Sequence, residues 1–282
     1  MGGLGNQLFQ LAAGIEISKL AQKPVKFSTQ ILEMAGTSAT TKRSLGIGDL
    51  LDSSEVITQS FSKAAIRHLS GKLRVGNKGV FEGDLSEDAT LRVTSDTKYV
   101  QGYFQNWKIV ERAWTSLETR LRMSDVFSPM LLDPVINRTA IHMRYGDYRL
   151  NAKAREFHGL THPSYFINGL RYLEESGASK SVLLLSDEPE LALRDLKNFG
   201  LPTSFTIEIG NSKNQFEDLA AISSSTSVVA SNSSFSWWGS WVAMKRSNAR
   251  VILPRPWFSP GSSQVPDLNF PGWHTIERKI QE

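Results

Sequence analysis

From about residue 139 onward the chain alternates short, uninterrupted apolar runs with segments of helical period. Ala140-Ile141, Val182-Leu-Leu-Leu185, Thr206-Ile-Glu-Ile209, Ser227-Val-Val-Ala230 and Val251-Ile-Leu253 read as strands. Most are apolar at consecutive positions, as strands covered on both faces are. Between them Ser164–Ser176, Glu190–Asn198, Gln215–Ser223 and Trp237–Lys245 read as helices. Few architectures accept that rhythm, because a crossover helix brings the chain back to a parallel neighbour with a fixed hand. The expectation is a parallel α/β sheet. Every strand of such a sheet ends on the same edge, and ligands bind in the crevice outside that edge.

Three of these strands end in polar clusters: His142-Met-Arg-Tyr-Gly-Asp-Tyr148, Ser186-Asp-Glu188 and Ser231-Asn-Ser-Ser-Phe-Ser236. Convergence of the three on one crevice is expected. Arg144 offers a planar, permanently charged fork that matches phosphate oxygens. Gly146 allows a close turn, and Asp147 is placed to orient the arginine or to accept a proton; an ordinary ion pair between Arg144 and Asp147 would use the same residues. The serine cluster stands between a buried strand and a helix start, where hydroxyls, backbone N–H groups and the positive helix end favour an anion. A plain serine-rich helix cap is the simpler reading. It is not a Walker loop, since the Gly-Lys-Ser/Thr signature is missing. Asp187, or the Glu217-Asp218 pair, could accept hydrogen bonds from a guanine edge or ribose hydroxyls, although acids are common in a first helical turn.

The first half opens on the glycine turn Gly2-Gly-Leu-Gly-Asn-Gln7, running directly into a helix on which Leu8, Leu11, Ala12 and Ile15 recur at helical spacing. Leu8 stands where a dinucleotide fingerprint needs its third glycine. Pro24–Phe27 reads as a strand, and a variable Ser/Thr/Gly-rich region runs from Ala35 to Gly48. Between Phe61 and Lys78, Lys63, Arg67, His68, Lys72, Arg74 and Lys78 alternate with Ile66, Leu69 and Leu73. That pattern suits a basic amphipathic helix, either a solvated surface or a contact with anionic membrane. Tyr99–Trp107 is a strand and loop dense in aromatics and amides, as sugar binding or a core strand would use. Ile109–Met123 reads as a helix and Ser128–Pro134 as the connection between two halves.

A chain of 282 residues is long enough for two cores. With no cysteine, disulfides, thiolate metal sites and a cysteine nucleophile are excluded. The five histidines lack zinc spacing, and no Asp-X-Asp occurs to grip a metal–diphosphate, so no metal is expected. A net charge of +4 and a pI near 9.2 suit an anionic partner. The basic residues are not interleaved with stacking aromatics as in a nucleic-acid module. A cytoplasmic protein, with peripheral contact at the inner membrane face left open, is the expectation.

These segments together resemble the bacterial α-1,2-fucosyltransferase family (glycosyltransferase family 11). The likeness is carried by Gly2–Gln10, Gly102-Tyr-Phe-Gln105, His142–Tyr148, Ser186-Asp-Glu188, Glu217-Asp-Leu219, Ser231–Trp241 and Pro254-Arg-Pro-Trp-Phe258, in that order and over nearly the whole chain. It implies an α/β, GT-B-type fold: two Rossmann-like lobes with parallel sheets and a cleft between them. Residues 1–134 would form the N-terminal, acceptor-side lobe and residues 135–282 the C-terminal lobe that binds a GDP-sugar. It implies inverting, metal-independent and cofactor-independent transfer of L-fucose from GDP-β-L-fucose to the 2-hydroxyl of a galactoside. The acceptor would be a galactose-terminated glycan, lipid-linked or not, in surface or secreted glycan synthesis. On the matching positions Arg144 and Asp147 would be catalytic. His142, Arg144, Asp187, Asp218, Ser231, Asn232, Ser233, Ser234, Phe235 and Ser236 would hold the donor, and Asn6, Gln7 and Gln105 would lie on the acceptor side. Two departures stand out. Tyr145 occupies the place of a second arginine, which puts one diphosphate contact in question. The family also has a strand before the glycine turn, so an upstream start is expected. Transfer of another GDP-sugar, another linkage, or a silent GDP- or glycan-binding protein are the alternatives.

Overall fold

A computed structural model describes residues 2–29, 44–57, 79–81, 90–91, 93–94, 97, 99–260 and 268–281. The expected basic helix of residues 61–78 and most of the variable stretch lie outside the described residues. The chain divides into two compact units, Met1–Ser124 and Asp125–Glu282.

Unit 1 is built on two helices. α1 (Leu4–Ala21) follows the glycine turn and is buried nearly all round, from Leu4 and Leu8 through Phe9, Leu11 and Ala12 to Ile17. β1 (Phe27–Ser28) pairs in parallel with β2 (Val56–Ile57), and β3 (Gly79–Phe81) with β4 (Tyr99–Gln101). α2 (Trp107–Met123) is capped by Asn106, whose side chain accepts from Lys108 N at 2.9 Å. Such a cap contributes about 1 kcal/mol. α2 packs on α1 through an apolar stripe that includes Ile109, Val110, Ala113, Leu117 and Leu121. Glu16, buried on α1, is met by Lys19 at 2.9 Å and by Arg112 of α2 at 3.3 Å.

Unit 2 begins ten residues earlier than the 134/135 boundary read from sequence, at Asp125. The reason is packing. α3 (Pro129–Leu132) is not a linker: Phe127, Met130 and Leu131 are buried, and Phe127 meets Phe216 edge-on at 5.1 Å.

The remaining elements in order are β5 (Ile136–Met143), α4 (Gly146–Leu150), α5 (Ala152–His158), β6 (Leu160–Thr161), α6 (Ser164–Glu175), β7 (Ser181–Ser186), α7 (Pro189–Asn198), β8 (Thr206–Ile209), α8 (Gln215–Ser223), β9 (Ser225–Ala230), α9 (Ser234–Ser247), β10 (Arg250–Arg255), β11 (His274–Glu277) and β12 (Ile280–Gln281). Six of the strands form one parallel sheet in the order β11-β10-β9-β5-β7-β8. Along the chain, winding proceeds outward from β5 through β7 to β8, then returns to the other side of β5 at β9 and continues outward. This is the doubly wound dinucleotide-type order, and its switch point lies between β5 and β9. The α/β, parallel-sheet architecture expected from the sequence is therefore what this chain has. β12 pairs antiparallel with β6, outside the main sheet.

The serine–tryptophan run explains how α9 is held. Trp237, Trp238 and Trp241 are fully buried, and Trp237 stacks on Trp241 one turn away at 5.2 Å. Rings of this size remove on the order of 150–250 Å² each from water. Gly239 lets α8 approach, because a Cβ there would stand 2.5 Å from Ile222 Cγ2. The tryptophans thus fix the helix whose first turn carries the serine cluster.

Candidate active site

β7, β5 and β9 are adjacent, so their polar ends share one edge of the sheet. The register pairs His142 with both Leu185 and Ala230, and Met143 with Ser186. All three clusters are brought together as expected, and side-chain contacts join them.

On the β5–β7 side, Arg144 Nη1 lies 2.8 Å from Asp187 Oδ2, and both side chains are about one-quarter exposed. Asp187 Oδ1 accepts from the backbone N–H of Tyr145 at 2.9 Å. Gly146, at φ +25°, makes this closure feasible: a Cβ would collide with Asp187 Oδ2 and stand 3.3 Å from Arg144 Cζ. The neighbouring acid, Glu188, reaches Arg149 of α4 at 3.3 Å. Asp187, expected on the nucleoside, thus aims the arginine, the task first read onto Asp147. Asp147 is the second residue of α4, and its side chain lies outside the described residues.

On the β5–β9 side, His142 is buried, with Nδ1 2.5 Å from Ser236 Oγ and 3.4 Å from Ser231 Oγ, while the two hydroxyls are 3.0 Å apart. Burial, with the positive charge of Arg144 second, pushes the His142 pKa down to about 3. The ring is therefore neutral at physiological pH. Ser231 and Ser236 are buried against it. An anion at this helix start is left to Ser233, Ser234, Phe235 and the first-turn N–H groups, which have no intrahelical acceptor. Ser233 is the N-cap of α9 and makes no side-chain cap bond.

Asn232 departs from its expected donor-binding role. Its Oδ1 accepts from Thr161 Oγ1 at 2.9 Å, and its Nδ2 donates to His158 O at 2.9 Å and Trp257 O at 3.3 Å. Both amide atoms are committed inside the protein. Asp218 stands in the first turn of α8, which follows β8 at the same edge; burial raises its pKa, partly offset by a hydrogen bond from Ser212. Tyr145 is buried, and its hydroxyl donates to Asp195 Oδ2 at 2.8 Å. Burial, then Asp195, raises its pKa far beyond that of a free phenol. Position 145 thus belongs to the core of unit 2, and Asp195, which periodicity alone could not single out, holds it there.

In unit 1, Gln105 Nε2 donates to Asn6 Oδ1 at 2.7 Å, and both residues are half-buried. Gln7, expected beside them, is instead a buried pin. Its Nε2 donates to Gly2 O at 3.0 Å and Ser44 O at 2.9 Å, and its Oε1 accepts from Gly46 N at 2.8 Å. Among the described residues no three His, Cys, Asp or Glu side chains are grouped to hold a metal ion, and no helix is long and apolar enough to cross a membrane.

A doubly wound parallel sheet with an arginine and a serine-rich helix start beside its switch point is an α/β architecture in which ligands bind at that edge. Residues 87–274 match the family model of glycosyl transferase family 11. The chain belongs to that family and is a glycosyltransferase. An alpha-1,2-colitosyltransferase of Escherichia coli is 28% identical over 272 residues, covering 91% of this chain and 90% of that protein. The O-antigen biosynthesis glycosyltransferase WbnK of Escherichia coli is 28% identical over 123 residues, covering 44% of this chain and 40% of its own length. Among solved structures, POFUT1 in complex with GDP superposes with a TM-score of 0.40 at 12% identity, covering 90% of this chain and 96% of that one. A likeness that slight carries no argument about this chain.

Proposed function

We propose that this glycosyltransferase transfers L-fucose from GDP-β-L-fucose to the 2-hydroxyl of a galactoside, with inversion and without a metal or cofactor. The observation that carries the donor half is Arg144, held by Asp187 at 2.8 Å, just beyond β5, one of the two strands that flank the strand-order switch. The start of α9 follows the adjacent strand, β9. Together they offer fixed donors where a diphosphate leaving group develops charge, which costs little reorganisation during reaction. In the step proposed, the acceptor oxygen attacks the anomeric carbon as the bond from that carbon to the β-phosphate oxygen breaks. GDP leaves, and the hydroxyl proton passes to a base, for which Asp147 is our assignment. His142 does not serve as that base: with a pKa near 3 it is a very weak proton acceptor. Its role is to set the serine cluster. Asn6 and Gln105 are assigned to the acceptor, and the cytoplasm, with peripheral contact at anionic membrane, is the location proposed.

A second donor has one observation in its favour, the match to the colitosyltransferase over nearly the full length of both chains. Colitose is L-fucose without its 3-hydroxyl, so the two donors present the same diphosphate and anomeric centre. The test is GDP release from GDP-fucose, and in parallel from the colitose donor, with lactose and with a β-galactosyl glycan. Product linkage is assigned by NMR. Acceptor-dependent release from GDP-fucose with an α-1,2 product supports the proposal. Release from the colitose donor alone moves the activity to colitose, and GDP binding without release from either refutes transfer to these acceptors.

A further inference from the structure

The last described turn of the chain carries an arginine in an unusual setting. Arg278 is 3% exposed and follows β11, which pairs with β10 at the far side of the sheet from β8. Each of its five N–H groups has an acceptor. Nε donates to Pro256 O at 2.7 Å, Nη1 to Gly159 O at 2.9 Å and Thr161 Oγ1 at 3.2 Å, and Nη2 to His158 O at 2.6 Å and Trp257 O at 3.1 Å. All five acceptors are neutral, four carbonyls and one hydroxyl. Among the described residues no carboxylate pairs with it. Burying a guanidinium without an acid is costly, and such a charge persists only where a full set of hydrogen bonds replaces its water.

Those acceptors are almost the same atoms that Asn232 uses. The Asn232 amide donates to His158 O, Gly159 O and Trp257 O, and its oxygen accepts from the Thr161 hydroxyl that Arg278 also meets. The two side chains therefore grip one knot of backbone, residues 158–161 and 256–257. Asn232 lies within the serine cluster, next to Ser231, which meets His142 and Ser236, and to Ser233, the N-cap of α9.

We propose that Arg278 is a positioning residue for the donor site: through the shared carbonyls and Thr161 it sets Asn232, and through Asn232 the serine loop that receives the donor diphosphate. This rests on the donor reading above for the ligand, but not for the positioning itself. Burial lowers the Arg278 pKa only to about 10, so the fork stays charged and fully donating at physiological pH.

The test uses the whole chain and Arg278→Lys, which keeps the charge but presents its donors from one nitrogen, too compact for five dispersed acceptors. Two readouts are taken. Hydrogen exchange of the peptide spanning residues 231–236 reads the loop without any ligand, and calorimetric titration with GDP reads the ligand. Exchange in that peptide should rise about tenfold while peptides of β5, β7 and β9 keep their protection, and GDP affinity should fall about tenfold. Unchanged exchange, an equal rise throughout unit 2, or a loosened loop with unchanged GDP affinity each overturns the proposal. Should Arg278→Lys fail to fold, Thr161→Val decides by the same measures, because it keeps the guanidinium and removes only the shared hydroxyl. A wild-type chain that binds no GDP refutes the donor reading, while the exchange comparison still judges Arg278.

Discussion

In the unfolded chain His142 takes up a proton near pH 6.5, whereas in the folded protein burial and the nearby Arg144 push that down to about 3. Above pH 6.5 the ring is neutral in both states and adds no pH dependence. Below it the unfolded chain binds the proton first, so stability falls until the folded pKa is reached. Each pH unit of that gap corresponds to about 1.4 kcal/mol. Between pH 6.5 and pH 4.5 this one side chain therefore removes about 2 kcal/mol, a sizeable share of a typical total of about 5–15 kcal/mol. The assay is urea unfolding of wild type and His142→Asn at a series of pH values, read as the difference between the two. Carboxylates titrate in both proteins and cancel. Wild type should lose about 2 kcal/mol more than His142→Asn over that span, and the ring resonances of the folded wild type should show no titration above pH 4. A ring that titrates near pH 6.5 in the folded protein, or equal acid losses in the two proteins, would refute the enclosure of His142 described here.

Three further outcomes follow from the geometry. Asp187→Asn leaves an oxygen for the Tyr145 N–H but removes the charge that aims Arg144; stability should fall by about 1 kcal/mol and the transfer rate by about 10- to 100-fold. An unchanged rate would mean the arginine needs no orienting acid. Gly146→Ala puts a methyl group between Asp187 and Arg144; calorimetry should show weakened GDP binding in a folded protein, and wild-type affinity would remove this turn from the donor site. Tyr145→Phe keeps the ring and breaks the 2.8 Å bond to Asp195, costing about 1–2 kcal/mol in thermal or urea unfolding. GDP affinity should not change, and a fall would place position 145 at the ligand after all.

The architecture was legible because its signals are local. Val182–Leu185, Thr206–Ile209 and Gln215–Ser223 carry their period and burial in consecutive residues, and the observed elements match them to within a residue or two at each end. The shared edge followed from strand parallelism alone. Less visible were elements without a period: α4 and α5, packed into the turn after β5, and β6 and β12, two residues each. Roles were harder still, because amides and acids read alike in sequence whether they face a ligand or a carbonyl. Gln7 and Asn232 look like binding amides but are pins, a difference made by Ser44 and Thr161, 37 and 71 positions away. Arg278 gave no signal, since all its partners but one are backbone atoms.

At the ends of β5 and β7 charges are matched in pairs, Arg144 with Asp187 and Arg149 with Glu188. Arg149 is set against Glu188, and His142 cannot charge, so the turn after β5 is assembled in half-buried surroundings at little electrostatic cost. Asp187 could be thought a competitor for whatever anion Arg144 meets. It is not, because a guanidinium carries five N–H groups in a plane and Asp187 is met through Nη1. In the donor site proposed, a fork of that size would meet a carboxylate on one side and phosphate oxygens on another, with the acid fixing its plane. A lysine ammonium, a single point on a flexible stem, would have to choose between them. The same reasoning separates the two arginines of unit 2 that matter most. Arg144, only partly buried, is balanced by an acid at the sheet edge; Arg278 is enclosed by neutral acceptors, four carbonyls and one hydroxyl, and takes no acid among the described residues.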